Sequence, residues 1–301
     1  MNQTELEKET ALFIPTRNGG KNLKRLLFSL KNSEFQPGKL FAIDTESDDD
    51  SKNQLLNADF EVTNTSRKGF SHGKVRQQAM RRLKQYRYVI MITQDVELND
   101  TSLGDLVLFI NQRPTVGVVY GRQVASNDAK NPQDSYDKNV NYPHKSNVRN
   151  LGSKKDYGIK TVFSSDAFSV YRTEAVLAVG SFPAEVKFAE DMYMAATFVM
   201  KGYSVGYCAQ AVVHHSNILT KSEMFKRYRQ IGIFHREFPW IQDNFGKAEG
   251  TGIRLVITQL GASLRHGKII DGCNVIINSA IKYVAFKSTH NTKAIEKKFS
   301  R

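Results

Sequence analysis

The first 120 residues alternate between short apolar runs and longer segments with helical spacing, and this alternation constrains the fold most strongly. Leu23, Leu26, Leu27 and Leu30 recur at i, i+3, i+4 and i+7, which predicts an amphipathic helix over Asn22–Lys31. The predicted strands are Ala11–Pro15, Leu40–Ile43, Phe60–Thr63, Tyr88–Ile92 and Val116–Tyr120, and the other predicted helices are His72–Tyr86 and Leu103–Ile110. Strand–helix alternation is typical of a mostly parallel sheet covered by helices. The sequence therefore predicts an α/β fold.

Polar side chains follow several of these predicted strands. Thr16-Arg17-Asn18 comes after the first strand, Asp44 and Glu46 after the second, and Gln94-Asp95 after the fourth. In parallel sheets the ligand site lies beyond the carboxyl ends of the strands. We therefore expect a binding site here, although strand ends are followed by polar loops in proteins of every function.

A second constellation lies between Phe182 and His215. Glu190-Asp191 precedes the apolar run Met192–Met200, which predicts a buried helix that ends at Lys201-Gly202. Two β-like runs follow, Tyr203–Cys208 and Ala211–Val213, and His214-His215 comes directly after them. A carboxylate base and a metal-binding imidazole suit a reaction with one deprotonation and one charged leaving group. The alternative is structural, because acidic residues favour helix N-termini and histidine pairs are often solvated.

The net charge of +13 indicates a polyanionic partner, such as nucleic acid, an anionic membrane or a phosphorylated small molecule. No nucleic-acid-binding motif accompanies the charge, so we expect no nucleic acid partner. Cys208 and Cys273 have neither disulfide-framework nor zinc-site spacing. No signal peptide and no spanning apolar stretch is visible, which predicts a cytoplasmic protein.

The remaining segments complete the predicted organisation. Ala125–Gly158 has little periodicity and is interpreted as a long loop. The chain after His215 is predicted to be helical over Lys221–Phe238, Ile253–Leu264 and about 271–286, with a frayed basic tail from Lys287. The start of the helix at His72 is surrounded by cations that favour anion binding, namely Arg67, Lys68, Lys74 and Arg76.

Taken together, these motifs resemble family-2 glycosyltransferases of the GT-A fold. The resemblance lies in Phe13–Asn18, in Phe41–Ser47, in Thr93-Gln94-Asp95 at the place of a DxD element, and in Ser164–Arg172 with Val179–Pro183 and Ala189–Asp191. It implies a Rossmann-like mixed sheet flanked by helices, which we assign to residues 1–245, and a C-terminal helical extension over residues 246–301.

The resemblance also implies site residues. Asp191 would be the catalytic base, and Asp95 and His215 would hold Mg²⁺ or Mn²⁺, with His214 as the alternative ligand because the subfamily's second histidine is Asn217 here. Residues implied to bind the nucleotide are Pro15, Thr16, Arg17, Asn18, Asp44, Glu46, Lys74 and Gln94. Residues implied to bind the donor or acceptor sugar are His72, Glu190 and Trp240.

A narrower resemblance is to bacterial rhamnosyltransferases that use dTDP-L-rhamnose. Phe70–Gly73 and the stretch from Ile231 through Trp240 to Gly250 carry it. It implies inverting transfer of L-rhamnose to a lipid-linked O-antigen or capsule acceptor. The alternatives are another nucleotide-sugar donor, a non-catalytic nucleotide-sugar or polysaccharide-binding module, and, from charge alone, a nucleic-acid-binding protein. The basic C-terminal segment predicts either docking to the anionic inner face of the cell membrane or packing in a homodimer.

Overall fold

The computed structural model describes residues 2–125, 138–215, 219–247 and 269–289. The strands in this part of the chain are β1 Thr10–Thr16, β2 Lys39–Asp44, β3 Glu61–Asn64, β4 Tyr88–Ile92, β5 Val96–Leu98, β6 Val116–Val124, β7 Asn147–Arg149, β8 Phe168–Arg172 and β9 Ser204–His215. The helices are α1 Gln3–Lys8, α2 Gly20–Lys31, α3 Ser51–Leu56, α4 His72–Arg82, α5 Ser102–Asn111, α6 Lys154–Tyr157, α7 Thr173–Ala178, α8 Glu190–Met200, α9 Lys221–Glu237, α10 Pro239–Phe245 and α11 Ile269–Lys287.

One mixed sheet organises the described chain, in the order β3-β2-β1-β4-β8-β6-β9-β5, with β7 paired to β9. Strands β1 to β4 run parallel to one another, whereas β8 runs antiparallel to both β4 and β6. Strand β5 runs antiparallel to β9 at the opposite edge. The sheet therefore joins a parallel N-terminal half to a mixed C-terminal half through β8.

Both faces of the sheet are buried, which explains why its strands are apolar throughout rather than alternating. Successive residues of β1 enter opposite faces. Ala11 and Phe13 pack in one apolar cluster with Phe198, and Leu12 and Ile14 pack in the other. A strand covered by helices on both sides needs apolar residues at every position. The predicted α/β sheet flanked by helices is confirmed.

Strand β9 is continuous, whereas the sequence predicted two separate runs. Its pairing with β6 shifts register, because Gly121 pairs with Cys208 while Arg122 pairs with Val212. The extra residues form a bulge in which Gln210 is exposed, and this polar residue breaks the apolar pattern. A Cβ at Gly121 would lie 2.3 Å from the Phe168 ring and 2.7 Å from the carbonyl oxygen of Ala211, so this close approach requires glycine.

The predicted loop Ala125–Gly158 is wrong in its second half, which contains β7 and α6. Strand β7 has only three residues, too few for a sequence period to reveal. Ser146 fixes its start, since its hydroxyl accepts a hydrogen bond from the backbone N–H of Ala209 at 2.8 Å and donates one to the Gln210 side chain at 2.7 Å. Residues 126–137 of the predicted loop lie outside the described ranges.

The C-terminal helix α11 packs against α9. A Cβ at Gly232 of α9 would lie 2.6 Å from the carbonyl oxygen of Phe286, so the two helix backbones approach closely. The predicted helix Ile253–Leu264 and residues 290–301 of the predicted tail lie outside the described residues, and the division at residue 246 stays a prediction. No helix among the described residues has the length and apolarity needed to cross a membrane.

Candidate active site

A cavity of about 900 Å³ opens beyond the carboxyl ends of β1 and β4. Its wall combines the end of β1, the turn after β4, the segment Phe163–Ala167 before β8, the start of α8, the end of β9 and one face of α9. Of the sequence-predicted site residues, the wall contains Pro15, Thr16, Arg17, His72, Gln94, Asp95, Glu190, Asp191 and His215. It does not contain Asn18, Asp44, Glu46, Lys74 or Trp240.

The ends of β1 and β4 are held together by one amide side chain. The backbone N–H of Arg17 donates to Gln94 Oε1 at 3.0 Å, and Gln94 Nε2 donates to the carbonyl oxygen of Arg17 at 2.9 Å. Both ends of the Gln94 amide are therefore used to fix the chain turn after β1. The cavity edge next to Pro15 and Thr16 is preorganised by this pair of hydrogen bonds.

The residues after β2 form a polar turn beside the cavity rather than part of its wall. Asp44 is buried, and its carboxylate accepts hydrogen bonds from the backbone N–H of Ser47 at 3.0 Å and from the Ser47 hydroxyl at 2.5 Å. Asn18 and Glu46 both adopt the left-handed region, at φ 47°. The Arg67 guanidinium, which reaches the wall, donates to the carbonyl oxygen of Glu46 at 2.6 Å.

Asp95 and His215 face each other across the β5–β9 pair. Val96 of β5 pairs with His215 of β9, and this register brings Asp95 Oδ2 to 3.1 Å from His215 Nε2. His215 Nδ1 lies 2.8 Å from Gln123 Oε1, which orients the ring so that Nε2 faces Asp95 and the cavity. His214 instead pairs with Glu97 in the ladder. The structure therefore brings His215, not His214, to Asp95.

This pair has the chemistry of a partial metal site. A carboxylate and an imidazole held at its second nitrogen by an acceptor are a common arrangement of metal ligands. Burial raises the pKa of Asp95, but the hydrogen bond and charge of His215 lower it more, with a further contribution from Thr93, to about 2. Asp95 is therefore ionised at neutral pH. No group of three or more His, Cys, Asp or Glu side chains in the described ranges is arranged to hold a metal.

Glu190 and Asp191 begin α8 at the opposite part of the cavity. The preceding residue, Ala189, adopts the left-handed region at φ 60° and offers no side-chain cap. The two acidic residues in the first turn interact favourably with the dipole of α8. The backbone N–H of Met192 donates to Asp191 Oδ1 at 2.7 Å. Burial, followed by the negative charges of Glu190 and Asp166, raises the pKa of Asp191 to about 8. Asp191 is therefore a carboxylate with unusual proton affinity.

The cations of the predicted basic cluster at the start of α4 lie in different environments, some at the cavity and some exposed. Arg76 is buried and forms ion pairs with Asp166 and Glu190, at 2.6 and 2.8 Å. Lys74 is exposed, and its backbone N–H donates to the capping hydroxyl of Ser71 at 3.0 Å. Of these cations Arg67 and Arg76 reach the cavity wall, and both carry carboxylate partners.

His72 and Trp240 lie in aromatic surroundings. The His72 ring meets Phe70 and Phe188 edge-on, with centroids 5.1 and 6.3 Å apart. Burial, and to a lesser degree the charge of Arg76, lowers the pKa of His72 to about 4, so this imidazole is neutral at pH 7. Trp240 packs edge-on against Tyr193, 5.7 Å away, next to residues that line the cavity.

Several wall residues were not predicted from the sequence. One face of α9 contributes Arg227, Tyr228, Ile231, Phe234 and His235, and their helical spacing is a signal that could have identified them. Asp166 follows Ser164-Ser165 just before β8. No site role was predicted for this polar tripeptide. Gln123 lies beyond Tyr120, the predicted end of strand β6, and only its contact with His215 reveals its place in the site.

Comparisons with known sequences agree with this arrangement. The model of glycosyl transferase family 2 matches residues 11–180. The O-antigen chain rhamnosyltransferase RfbN of Salmonella typhimurium is 37% identical over 258 residues, which are 85% of this chain and 81% of that protein. The O-antigen chain rhamnosyltransferase WbaN of Salmonella anatum is 34% identical over 256 residues, with the same two coverages.

Solved structures share the fold at low sequence identity. The mannosyltransferase PcManGT from Pyrobaculum calidifontis, in complex with GDP-Man and Mn²⁺, superposes with a TM-score of 0.57 at 17% identity, over 91% of this chain and 86% of that chain. S. aureus TarS 1-349 in complex with UDP gives 0.53 at 16% identity, over 93% and 91%. These likenesses confirm the GT-A fold. With a family model that spans more than half of its length and relatives 37% and 34% identical over most of it, the chain belongs to glycosyl transferase family 2 and is a glycosyltransferase.

Proposed function

We propose that this glycosyltransferase moves L-rhamnose from dTDP-L-rhamnose to a lipid-linked O-antigen-type acceptor, with inversion at the anomeric carbon. The observation that carries the proposal is the opposition, in one cavity, of a high-pKa carboxylate and a carboxylate–imidazole pair. The likeness to two O-antigen chain rhamnosyltransferases supports the choice of sugar and acceptor.

The reaction is a single displacement. The acceptor hydroxyl oxygen forms the new bond to the anomeric carbon while the bond from that carbon to the nucleoside diphosphate breaks. Asp191 takes the hydroxyl proton, and its raised pKa matches it to this task better than an ordinary carboxylate. The departing diphosphate keeps the electron pair of the broken bond and needs positive charge nearby.

A divalent cation would be held by Asp95 and His215. The Asp95 carboxylate and His215 Nε2, once this nitrogen has given up its proton, would fit Mg²⁺ or Mn²⁺, and oxygens of the donor diphosphate and of water would supply the other ligands. Gln123 orients His215 for this role through the hydrogen bond at Nδ1. Such an ion would neutralise charge on the leaving diphosphate.

Side-chain cations supply the remaining positive charge. Among the arginines of the described wall, Arg67 and Arg76 are neutralised by carboxylates. Arg227 on α9 lies over the Phe188 ring at 5.8 Å and reaches the same cavity. We assign Arg17 and Arg227 to the diphosphate, because they approach from the β1 side and the α9 side of the wall.

The other predicted site residues are assigned to the nucleoside and to the two sugars. We assign the base and ribose to the strand-end turns that contain Pro15, Thr16, Arg17, Asn18, Asp44, Glu46 and Gln94, and to Lys74 near the start of α4. His72, neutral and flanked by aromatic rings, offers one hydrogen bond within an apolar surface, which suits a 6-deoxy sugar. We assign the stacking surface for the acceptor sugar to Trp240 beside Tyr193, and we assign Glu190, in the cavity wall, to the sugars as well.

Peripheral docking at the inner face of the membrane would bring the enzyme to a lipid-linked acceptor. Ile276, Ile277, Tyr283 and Val284 of α11 are exposed large apolar residues, and Lys282 and Lys287 lie on the same helix. An apolar stripe flanked by cations binds anionic interfaces without spanning them. The alternative occupant of this stripe is a second copy of the chain.

A donor screen tests the proposed function. The full chain is mixed with dTDP, UDP and GDP, each with and without Mn²⁺, and its Tm is measured. We expect dTDP with Mn²⁺ to give the largest rise, because selective binding to the folded state stabilises it by mass action. Transfer is then followed with dTDP-L-rhamnose. A preference for UDP or GDP would refute the donor assignment, and the same shifts with and without Mn²⁺ would refute the metal assignment.

A further inference from the structure

A buried charge network lies beneath the start of α8. The Arg76 side chain is 4% exposed, and its Nε contacts Asp166 Oδ2 at 2.6 Å while its Nη1 contacts Glu190 Oε1 at 2.8 Å. The two carboxylates are 2% and 7% exposed. One guanidinium therefore bridges α4, the segment before β8 and the first residue of α8.

Asp166 anchors this network to the sheet. Its second oxygen, Oδ1, accepts hydrogen bonds from the Ser169 hydroxyl at 2.9 Å and the Tyr171 hydroxyl at 2.7 Å, both from β8. Both oxygens of the Asp166 carboxylate therefore have partners, one on β8 and one on Arg76. Asp166 thus fixes the position of Arg76 relative to β8. Since β8 joins the two halves of the sheet, the network ties α8 to the centre of the sheet.

A buried ion network of this kind is poorly explained by stability alone. Taking charges out of water costs about as much free energy as their attraction returns, and apolar residues of similar volume often stabilise a fold as well. The network instead ends at the residue beside Asp191. It also leaves an excess of negative charge, because the carboxylates of Glu190, Asp166 and Asp191 share the single guanidinium of Arg76.

Asp191 is surrounded by groups from each packed element. They are Glu190 on its own helix, Asp166 before β8, Tyr171 on β8, Arg76 on α4 and Tyr142 from the cavity wall. Of these, the two carboxylates raise the proton affinity of Asp191 and Arg76 lowers it. A shift in any of their positions would therefore alter how readily Asp191 accepts a proton.

We propose that Arg76 and Asp166 are positioning residues for the reaction: their ion-pair network holds Glu190 beside Asp191 and so fixes the direction of the base and the charges around it. This inference rests on the proposed role of Asp191 as proton acceptor. It gives Glu190 a second role, as the charge that tunes Asp191, and it assigns a purpose to a buried cation that is engaged by two carboxylates.

Three variants test the proposal, Glu190→Gln, Arg76→Lys and Asp166→Asn. The matched control is Arg82→Gln, on the same helix, because Arg82 forms an exposed ion pair with Glu61 at 2.7 Å. For each protein we would measure kcat, the donor KM and the pH dependence of kcat/KM with dTDP-L-rhamnose and Mn²⁺. The control should match the wild type in all three quantities.

We expect Glu190→Gln to move the acid limb of kcat/KM to lower pH by about one unit, because it removes a negative charge that raises the pKa of Asp191. Arg76→Lys retains the charge but not the forked contact, so kcat should fall by about 10-fold while the donor KM changes little. Asp166→Asn should behave as Arg76→Lys does. An unmoved acid limb in Glu190→Gln, or equal losses in KM and kcat in Arg76→Lys, would overturn the proposal.

A readout without turnover separates this inference from the proposed function. The Tm of Glu190→Gln relative to wild type is measured between pH 5 and 9. If Glu190 tunes Asp191, the difference in Tm changes with pH even when no sugar is transferred from any donor. A constant difference would refute the tuning, whereas absent transfer with a changing difference would refute only the assigned reaction. If Glu190→Gln does not fold, the same comparison is made with Asp166→Asn.

Discussion

Replacing Asp191 with asparagine tests two effects of this residue separately, its contribution to kcat and its effect on the stability of the folded protein. The substitution keeps the shape of the side chain and removes the proton acceptor. We expect kcat to fall by about 100- to 10,000-fold, the usual contribution of a positioned general base. That loss corresponds to about 3–5 kcal/mol in the activation free energy. Binding of dTDP should persist, because the residues proposed to bind the nucleotide lie on the β1 and β4 side of the cavity.

The same substitution should stabilise the folded protein at neutral pH. The pKa of Asp191 is raised from 3.8 to about 8, so its carboxylate is disfavoured in the folded state at every pH above its unfolded value, and the cost grows until the pH reaches about 8. Each pK unit is worth about 1.4 kcal/mol. Solvent in the cavity relieves part of this penalty, so we expect a gain of about 2–3 kcal/mol at pH 8, or roughly 4–8 °C in Tm.

Thermal unfolding of both proteins between pH 3 and 9 is the assay. The stabilisation should be largest near pH 8 and vanish below pH 4, where Asp191 is protonated in the folded and unfolded states alike. The exposed Asp156→Asn in α6 is the control, and its Tm should follow the wild type throughout. An Asp191→Asn protein with wild-type turnover would show that Asp191 only starts the helix. A Tm below the wild type at pH 8 would refute the account of its burial.

Three further results are expected. Asp95→Ala should abolish transfer and the Mn²⁺-dependent part of the dTDP-induced rise in Tm, and full wild-type activity in excess chelator would contradict the metal assignment. Gly121→Ala should lower the free energy of unfolding by about 1–3 kcal/mol in denaturant titration, because the new Cβ meets the Phe168 ring. Co-sedimentation with anionic liposomes should weaken with salt and with Val284→Asp, whereas a salt-insensitive dimer in light scattering would favour the homodimer.

The sheet could be predicted where the chain follows a simple period. Strand β4 has the predicted bounds, Tyr88–Ile92, because a fully buried strand is apolar at every position. Strand β5 could not be predicted, since its three residues owe their conformation to pairing with β9. Helix α1 was missed because it is only one and a half turns long and polar, and its capping box, formed by Asn2 and Glu5, stabilises it locally.

The site could be predicted only in part, for a different reason. Asp95 and His215 stand out because each follows a strand, and the sheet brings them together. Arg76 was predicted to be one cation in a basic cluster that favours anion binding, yet its partners Asp166 and Glu190 lie 90 and 114 residues further along the chain. Sequence spacing carries no signal for such pairs. A buried arginine on a helix face becomes recognisable only when the elements around it are assembled.

The strand order also dictates when the protein can fold during its synthesis. Strands β1 to β4 pair among themselves, so the parallel half can form once the first hundred residues have left the ribosome. Strand β6 must wait for β8 and β9, and β5 pairs with β9 alone among the described strands. While residues 125–215 are being synthesised, the apolar strand β6 lacks the neighbours it pairs with in the folded protein. An exposed apolar strand of this kind is prone to aggregation. A nascent chain released at residue 180 would therefore carry the parallel half of the sheet with β5 and β7 unpaired and with one edge of β6 open.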